Sequence, residues 1–531
     1  MTTAALTLDQ DVWRPRHNPW LVAVVVALAA FMEVLDTSIA NVALPYMAGN
    51  LGASNDQSTW VLTSYLVSNA IILPMTGWLA GAFGRKRFFM SCLGIFTVSS
   101  LLCGVAPSLG FLLLFRVLQG AGGGGLQPMA QAILADTFPP EKRGLAFALY
   151  GITAIMAPTI GPTLGGWITF NYSWRWIFFI NLPVGLIAWL LVRRFVEDPP
   201  YLQRLKRAGV KLDYVGIALL TLGVGALQIL LDKGQEDDWF GSHFITTLIV
   251  ISAVSLISLV VWEWFEKAPI IDVRMFSNFN FAGSCLMLFM LGVLLFSSLV
   301  LMPQFLQTLL GYTSELAGLA LSAGGLVLLI ETPITGQLST KVHARRLIAF
   351  GWLALSIAMY YSTKRIDLEM SFSAATWLRI EQVIGLGFLF VPITLVAYVG
   401  IAPEKNNSVA GIANFMRNMG SSVGTSLVTT LIARRSQFHQ LRLVETARVD
   451  NPNFALAAQG LSRQFAAGGL GKHEAIATAY ARIYQSVQAQ AGTLAYIDTF
   501  MVLAVAAGIM FFLSFILKKN ELGGGGVHVA E

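Results

Sequence analysis

Apolar residues gather along the chain in long runs separated by short polar breaks. The runs fall near 19–43, 58–81, 87–106, 109–133, 144–168, 176–195, 213–231 and 244–264, and again near 281–303, 315–338, 347–363, 375–400, 406–431 and 496–517. An α-helix needs roughly 20 apolar residues to cross a bilayer, so the pattern predicts an all-α polytopic membrane protein with fourteen transmembrane helices. An even number puts both termini on one side. The first run opens after Pro19, is too long for a signal-peptide core and has no small-residue cleavage site behind it, which predicts a retained span.

Positive charge sets the orientation, because Lys and Arg concentrate in cytoplasmic loops. With the termini inside, 21 of the 35 Lys and Arg residues fall on the cytoplasmic side, against 4 in short outer loops, 7 in the long last outer loop and 3 within spans. Arg85-Lys86-Arg87, Lys142-Arg143, the stretch from Arg193 to Lys211, Lys341 with Arg345 and Arg346, and Lys518-Lys519 all land inside. Asp232 to Asp238 then form an acidic outer loop. Arg434 and Arg435 open a loop long enough to escape the rule.

The chain also repeats itself. At an offset of 263 residues Arg116 and Gln119 match Arg379 and Gln382, Gly122 and Gly124 match Gly385 and Gly387, Pro140-Glu141-Lys142 matches Pro403-Glu404-Lys405, and Gly161 matches Gly424. At 259 residues Gly77 matches Gly336, and Lys86-Arg87 matches Arg345-Arg346. Arg-x-x-Gln followed twice at the same distance by Pro-Glu-Lys is too specific for chance. It predicts two homologous six-span halves with two spans inserted between them. Residues 1–18 are then a cytoplasmic N-terminus, 19–195 the first bundle, 196–212 a cytoplasmic linker, 213–264 the inserted helices, 281–517 the second bundle with an outer loop over 434–495, and 518–531 a cytoplasmic tail. Two parallel halves about a midplane site suit a secondary transporter.

Composition narrows the function further. Hydrophobic residues are 55% of the 531 and charged residues only 12%, about half the charged share of a soluble domain. Soluble enzymes, nucleic-acid binders and secreted scaffolds are excluded, and the net charge of +6 sits in the loops assigned to the cytoplasm. Cys92, Cys103 and Cys285 lie in apolar runs without disulfide or metal-ligand spacing. Gly120 to Gly125 resembles a phosphate loop in composition only, lacking the Lys-Ser/Thr and the strand context, and is expected to be a close-packing helix face. No cofactor, metal or catalysis is expected.

Several stretches resemble the major facilitator superfamily, and within it the fourteen-span drug:proton antiporters of the EmrB-type multidrug exporters. They are LDTSIANVALP from Leu35, GWLAGAFGRKR from Gly77, RVLQGAGGG from Arg116, APTIGPTLGG from Ala157 and WRWIFFINLPVG from Trp174. The resemblance covers essentially the whole chain. It implies the major facilitator fold, proton-driven export of lipophilic, structurally varied compounds by alternating access, antibiotic resistance, and a place in the bacterial cytoplasmic (inner) membrane. It also implies an EmrA-type periplasmic adaptor (membrane fusion protein) and a TolC-type outer-membrane channel as partners. A loop carrying Gly77, Gly84, Arg85 and Arg87, and a seam carrying Gly161, Pro162 and Gly165, are the gating elements it points to. The gating loop departs from the family in having Gly81 where an Asp is usual and Ala82 where a base is usual.

Charged groups inside spans are candidates for function because each costs roughly 3 kcal/mol or more at a helix centre. Glu33 and Asp36, three residues apart on one helix face, are read as proton-coupling residues, with a structural role hydrogen-bonded to Asn41 or Arg116 as the competing reading. Arg116 in span 4 needs an acidic partner, and Asp36 or Glu33 is nearest in sequence logic. Glu331 and Arg417 are the deepest charges of the second half. Arg379 and Glu381, nearer the end of span 12, are expected to snorkel. Asn41, Tyr65, Asn69, Gln127, Tyr150, Gln304, Gln307, Phe390 and Asn414 are candidates to face a substrate cavity. The loop over 434–495, rich in Ala, Gln and Arg, is expected to form two or three helices lying on the outer face, where it docks an adaptor or caps the cavity. Other readings are an exporter of one physiological compound, such as a fatty acid or siderophore, and a non-transporting membrane scaffold or sensor.

Overall fold

A computed structural model describes residues 15–199, 212–448 and 450–517. Most of the expected N-terminal segment and linker, and the tail with Lys518-Lys519, lie outside the described residues. Within them the regular structure is helical throughout. The first half comprises α1 (Pro19–Leu51), α2 (Asn55–Phe83), α3 (Arg85–Gly104), α4 (Leu109–Gly123), α5 (Leu126–Thr137), α6 (Pro140–Asn171), α7 (Trp176–Phe179) and α8 (Asn181–Phe195). Then come α9 (Tyr214–Lys233) and α10 (His243–Phe265). The second half holds α11 (Phe279–Thr308), α12 (Ser314–Leu338), α13 (Ala344–Arg365), α14 (Phe372–Ala397), α15 (Asn406–Thr446), α16 (Pro452–Ala467) and α17 (Lys472–Ser514).

Local chemistry sets several of these boundaries. Asn18 caps α1 by accepting from Trp20 N at 2.9 Å with Pro19 in the first turn, and Gly52 closes it at φ 64°. Ser54 and Gln57 form a capping box on α2. The glycines from Gly120 to Gly125 do let α4 pack closely, but the helix also breaks there before α5. A Cβ on Gly122 would lie 2.7 Å from Phe96 N, and one on Gly124 2.8 Å from the Asn69 carbonyl.

Twelve of the described helical stretches are long and apolar enough to cross a membrane, with α4 and α5 counted as one stretch and α7 and α8 as another. The expected spans 347–363 and 406–431 fall on α13 and α15, which are not among the twelve. The α15 sequence is diluted by groups turned toward protein, such as Asn406, Asn407, Asn414 and Arg417, all buried, and that of α13 by Arg345, Arg346, Lys364 and Arg365 at its ends. α15 packs inside the bundle against α2, α5, α11 and α17, whereas α13 lies against α14 and α17 with Phe350, Leu353 and Ile357 exposed on its other face. α10 bears many exposed apolar residues, Val254, Ile257 and Phe265 among them, as a lipid-facing helix must.

The repeat appears as equivalent packing. α2 lies against α15 as α12 lies against α6, and α1 against α6 as α11 against α15. Gly122 approaches Cys92 and Phe96 just as Gly385 approaches Gly351 and Leu355.

The loop over 434–495 departs from its expected form. α15 and α17 run on as unbroken helices of 41 and 43 residues, about 60 Å each at 1.5 Å per residue, twice a hydrocarbon core of about 30 Å. Their pairing runs from the end of the bundle, where Arg435 Nε and His439 Nε2 both meet Asp498 Oδ2 at 2.6 and 2.7 Å, to Gln440 Nε2 donating to Tyr484 Oη at 3.3 Å beyond both apolar runs. Among the described residues of this segment α16 is the one separate helix, laid on α17. The segment is therefore a projecting hairpin rather than a set of helices lying flat. Helix continuation satisfies the backbone without new caps, which a loop at that point would require.

Candidate functional site

A cavity of about 1160 Å³ lies between the halves. Its mouth is on the face away from Pro19 and Ser514, walled by Asn41 and Pro45 of α1, Phe170 and Asn171 of α6, Gln307 of α11 and Glu315 of α12. Glu33, Tyr65, Asn69, Gln127, Phe390 and Arg417 line its deeper part.

Glu33 is buried, and its acceptors are met by neutral donors. Tyr65 Oη donates to Oε1 at 3.0 Å, Asn69 Nδ2 to the same oxygen at 3.1 Å, and Gln127 Nε2 to Oε2. The other end of the Gln127 amide, Oε1, accepts from Tyr150 Oη at 3.0 Å and from Arg417 Nη2 of the opposite half. Arg417 also sits 5.6 Å from the Phe390 ring centre. One amide thus joins a carboxylate of α1 to a guanidinium of α15.

Asp36 is placed differently. It is buried within the first half and does not line the cavity. Arg116 Nη1 donates to Oδ2 at 2.6 Å, while Gln119 Nε2 and Asn181 Nδ2 donate to Oδ1 at 2.9 and 2.6 Å. Arg116 Nε reaches the Val61 carbonyl at 3.1 Å, and its guanidinium covers the Tyr65 ring at 4.3 Å. Asp36 and Glu33 share a helix face in sequence, yet one is held by a formal cation and the other by neutral dipoles.

The second half keeps this frame without the acid. Arg379 is buried rather than snorkelling, and donates to Ser298 Oγ at 3.0 Å and Gln382 Oε1 at 3.5 Å, where Arg116 meets Asp36 and Gln119. Glu381 does reach the surface, pairing with Arg365 at 3.3 Å. Glu331 is buried over Gly387, whose Cβ would lie 2.7 Å from Glu331 Cγ. Neither Glu331 oxygen has a hydrogen-bond partner, and the residue does not line the cavity.

On the terminal side of the cavity the halves are shut. Tyr150 stacks on Phe390 at 6.0 Å and Phe147 on Tyr398 at 5.6 Å. Asn414 Nδ2 donates to Gln131 Oε1 at 2.7 Å, so Asn414 belongs to the seal rather than the cavity wall, as does Tyr150. Asn41, Tyr65, Asn69, Gln127, Gln307 and Phe390 line the cavity; Gln304 does not.

The gating-loop residues lie at the same seal. Gly77 meets Ser408, a Cβ there falling 2.7 Å from its Cα, and Gly336, the repeat partner of Gly77, meets Gly144. Gly84 takes φ 86° between α2 and α3. Arg85 is buried in an ion pair with Asp136, Arg87 is exposed, and Asp136 Oδ1 accepts from Asn406 Nδ2 at 2.6 Å across the halves. Asp136 thus ties the loop to α15, where the chain lacks an Asp at Gly81. Gly161 and Gly165 seat α6 on Ser38 and Ile39 of α1, with Pro162 between them.

A Cβ on Gly336 would lie 2.8 Å from the Gly144 carbonyl oxygen and 2.9 Å from Ala148 Cβ. Backbone cannot yield as a side chain can. Gly336→Val should therefore part α6 and α12 on the terminal side and disfavour the state described here. Spin labels at the terminal-side ends of those helices should show a longer distance distribution; an unchanged distribution would refute the seal.

Sequence reasoning missed the contribution of the inserted helix. Gln228, Asp232 and Gln235 line the cavity. Gln228 within the apolar run, with Asp232 and Gln235 following just past its end at i+4 and i+7, was the available signal.

Residues 26–425 match the Major Facilitator Superfamily. The chain is 39% identical over 462 residues to the Multidrug export protein EmrB of Escherichia coli (strain K12), covering 86% of this chain and 90% of that protein. It is 39% identical over 443 residues to the Fatty acid resistance protein FarB of Neisseria gonorrhoeae, covering 82% and 86%. Among solved structures, the proton:xylose symporter XylE superposes with TM-score 0.60 at 14% identity, covering 94% of this chain and 96% of that one.

Proposed function

The chain belongs to the Major Facilitator Superfamily as a multi-pass membrane transporter, and on that premise we propose a proton-driven exporter of lipophilic, structurally varied compounds. The observation that carries the reading is Glu33: a carboxylate with only neutral donors, at depth in a cavity open on one face, joined by the Gln127 amide to Arg417 of the other half. Its negative charge orients Gln127 so that the amide oxygen meets Arg417. Protonation removes that demand and loosens the link between the halves. Proton loading and rocking of the two bundles are thereby coupled, as alternating access requires. Asp36, already balanced by Arg116, positions the helices of the first half.

The open face is the outer side and the termini are cytoplasmic, in keeping with the distribution of Lys and Arg; a bacterial inner membrane is the location. Substrate enters from the cytoplasm or inner leaflet in the opposite state and leaves through the mouth described here. Apolar and aromatic parts of the wall, Leu62, Leu66, Leu295, Phe296, Leu299 and Phe390 among them, suit lipophilic compounds. A second reading, export of a single physiological compound such as a fatty acid, draws on the similarity to the fatty acid resistance protein.

The test is substrate-induced proton release in proteoliposomes carrying a pH dye. A panel of lipophilic cations, weak acids and uncouplers should include compounds that trigger release. Silence across the panel would overturn broad export, and release by fatty acids alone would favour the second reading.

The projecting hairpin of α15 and α17 suits contact with an EmrA-type adaptor leading to a TolC-type channel, for it reaches about 30 Å beyond the hydrocarbon core by helix rise. Deleting 445–490 should abolish adaptor pull-down while leaving substrate-induced proton release intact. Undiminished pull-down would refute the contact.

A further inference from the structure

The halves meet along two seams, α2 against α15 and its repeat equivalent, α12 against α6. At the first seam the inserted helix α9 stands in the gap. Gly225 lies against α2, a Cβ there falling 3.7 Å from Ile71 Cδ1 and 3.8 Å from Val67 Cγ1. On the other side Gln228 Oε1 accepts from Ser422 Oγ of α15 at 3.0 Å, and Trp239 Nε1 donates to Thr430 Oγ1 at 3.2 Å. Ala70 and Met75 of α2, Leu220 and Val224 of α9, Leu259 of α10 and Met419 of α15 belong to one buried apolar cluster. Packing of that kind leaves no passage for a bilayer chain.

Neither inserted helix is packed into the second seam. Its helices touch on the terminal side and part toward the open face. A Cβ on Gly325 would lie 2.7 Å from Thr159 Cγ2, as close as the contact of Gly336 with Gly144, whereas on Gly318 the nearest atom is Thr163 Oγ1 at 3.5 Å. Gly166, further along α6, has Val42 of α1 as its one neighbour among the described residues, at 3.9 Å. α6 stays seated on α1 through Gly161 and Gly165, so the gap opens between α6 and α12. Trp167 and Phe170 line the cavity there while 55% and 81% exposed, and Leu316 and Leu319 are exposed on α12. Exposed Trp167, Tyr172 and Trp176 mark the headgroup level. Thr163 lies about 6 Å below Trp167 by helix rise, which puts the gap in hydrocarbon.

We propose that α6 and α12 frame a side portal through which an acyl chain of a phospholipid in the open-face leaflet enters the cavity. The inserted pair α9 and α10 closes the equivalent portal between α2 and α15. Leu295, Phe296 and Leu299 of the cavity wall then meet hydrocarbon instead of water, which favours entry of the chain. The insertion makes exchange with the bilayer one-sided in a protein whose plan is twofold. The proposal goes beyond the export reading and holds whatever the cargo.

The test places p-benzoylphenylalanine, which inserts into a nearby C–H bond on irradiation, singly at Val42, Leu66 or Ile330 of the full chain in phosphatidylglycerol vesicles. Phospholipid adducts are read by mass spectrometry. Ile330 is 68% exposed on the outer face of α12 and reports correct insertion; Val42 lines the cavity beside the gap, and Leu66 lines it from α2, on the side of α9. Adducts should form at Ile330 and at Val42, and several-fold less at Leu66. Gly318→Trp fills the gap beside Thr163 and should cut the Val42 adduct several-fold while sparing that at Ile330. An Ile330 adduct without one at Val42, equal adducts at Val42 and Leu66, or a Val42 adduct unmoved by Gly318→Trp would overturn the portal. Where Gly318→Trp also loses the Ile330 adduct, the variant is misfolded and the comparison of Val42 with Leu66 decides. No arm involves protons or cargo, so failure here leaves the export reading standing, and a silent pH dye leaves the portal standing.

Discussion

Glu33→Gln should abolish substrate-induced proton release while leaving substrate binding within a few-fold of the unaltered protein. The exchange removes the titratable group but keeps the shape, and Tyr65, Asn69 and Gln127 remain in place to pack around it. The amide introduces a donor where three donors already converge, so at least one hydrogen bond is lost, worth about 1 kcal/mol. That is a small perturbation beside the loss of the charge that holds Gln127 toward Arg417. Counterflow, which needs rocking but no net proton movement, should survive, whereas uptake driven by a pH gradient into inverted vesicles should fall to background. Proton release that persists in Glu33→Gln would move the coupling elsewhere, with the unpartnered Glu331 the next residue to change.

Asp36→Ala should fail in a different way, through folding. Arg116 is fully buried, and with Asp36 gone its remaining bonds are the neutral Val61 carbonyl and Gln119. Removing one member of a buried ion pair costs about 3–5 kcal/mol because the other charge is left uncompensated, and water is least available here. The thermal transition should drop sharply and the yield of monodisperse protein with it. Adding Arg116→Met removes the stranded charge, so the double variant should regain most of that stability, a non-additivity characteristic of paired groups. Asp36→Ala protein that melts like the unaltered chain yet releases no protons would make Asp36 the carrier and leave Glu33 a structural acid.

Much of the architecture was legible in the chain. Long apolar runs must become helices in a bilayer, because every backbone group has to be bonded internally. The recurrence of Arg-x-x-Gln and Pro-Glu-Lys at one offset required two equivalent halves, and the paired contacts of Gly122 and Gly385 follow from it. Arg379 is buried although its place near the end of the span predicts snorkelling, because it is the repeat partner of the buried Arg116.

What the sequence determined by itself was the solvent of this protein, its helices, its twofold plan and the short roster of charges expensive enough to matter, since each depends on local composition or on spacing. The tertiary structure alone decided which acid faces the cavity and which is locked in an ion pair, that Asp136 meets Asn406 across the halves, that α9 helps wall the cavity, and that the last outer loop is a hairpin of two continued helices. Those outcomes depend on partners brought from distant segments. Glu33 and Asp36 lie three residues apart with the same functional group, and only the neighbours supplied by α2, α4, α5 and α8 make one a neutral-dipole site and the other half of a salt bridge.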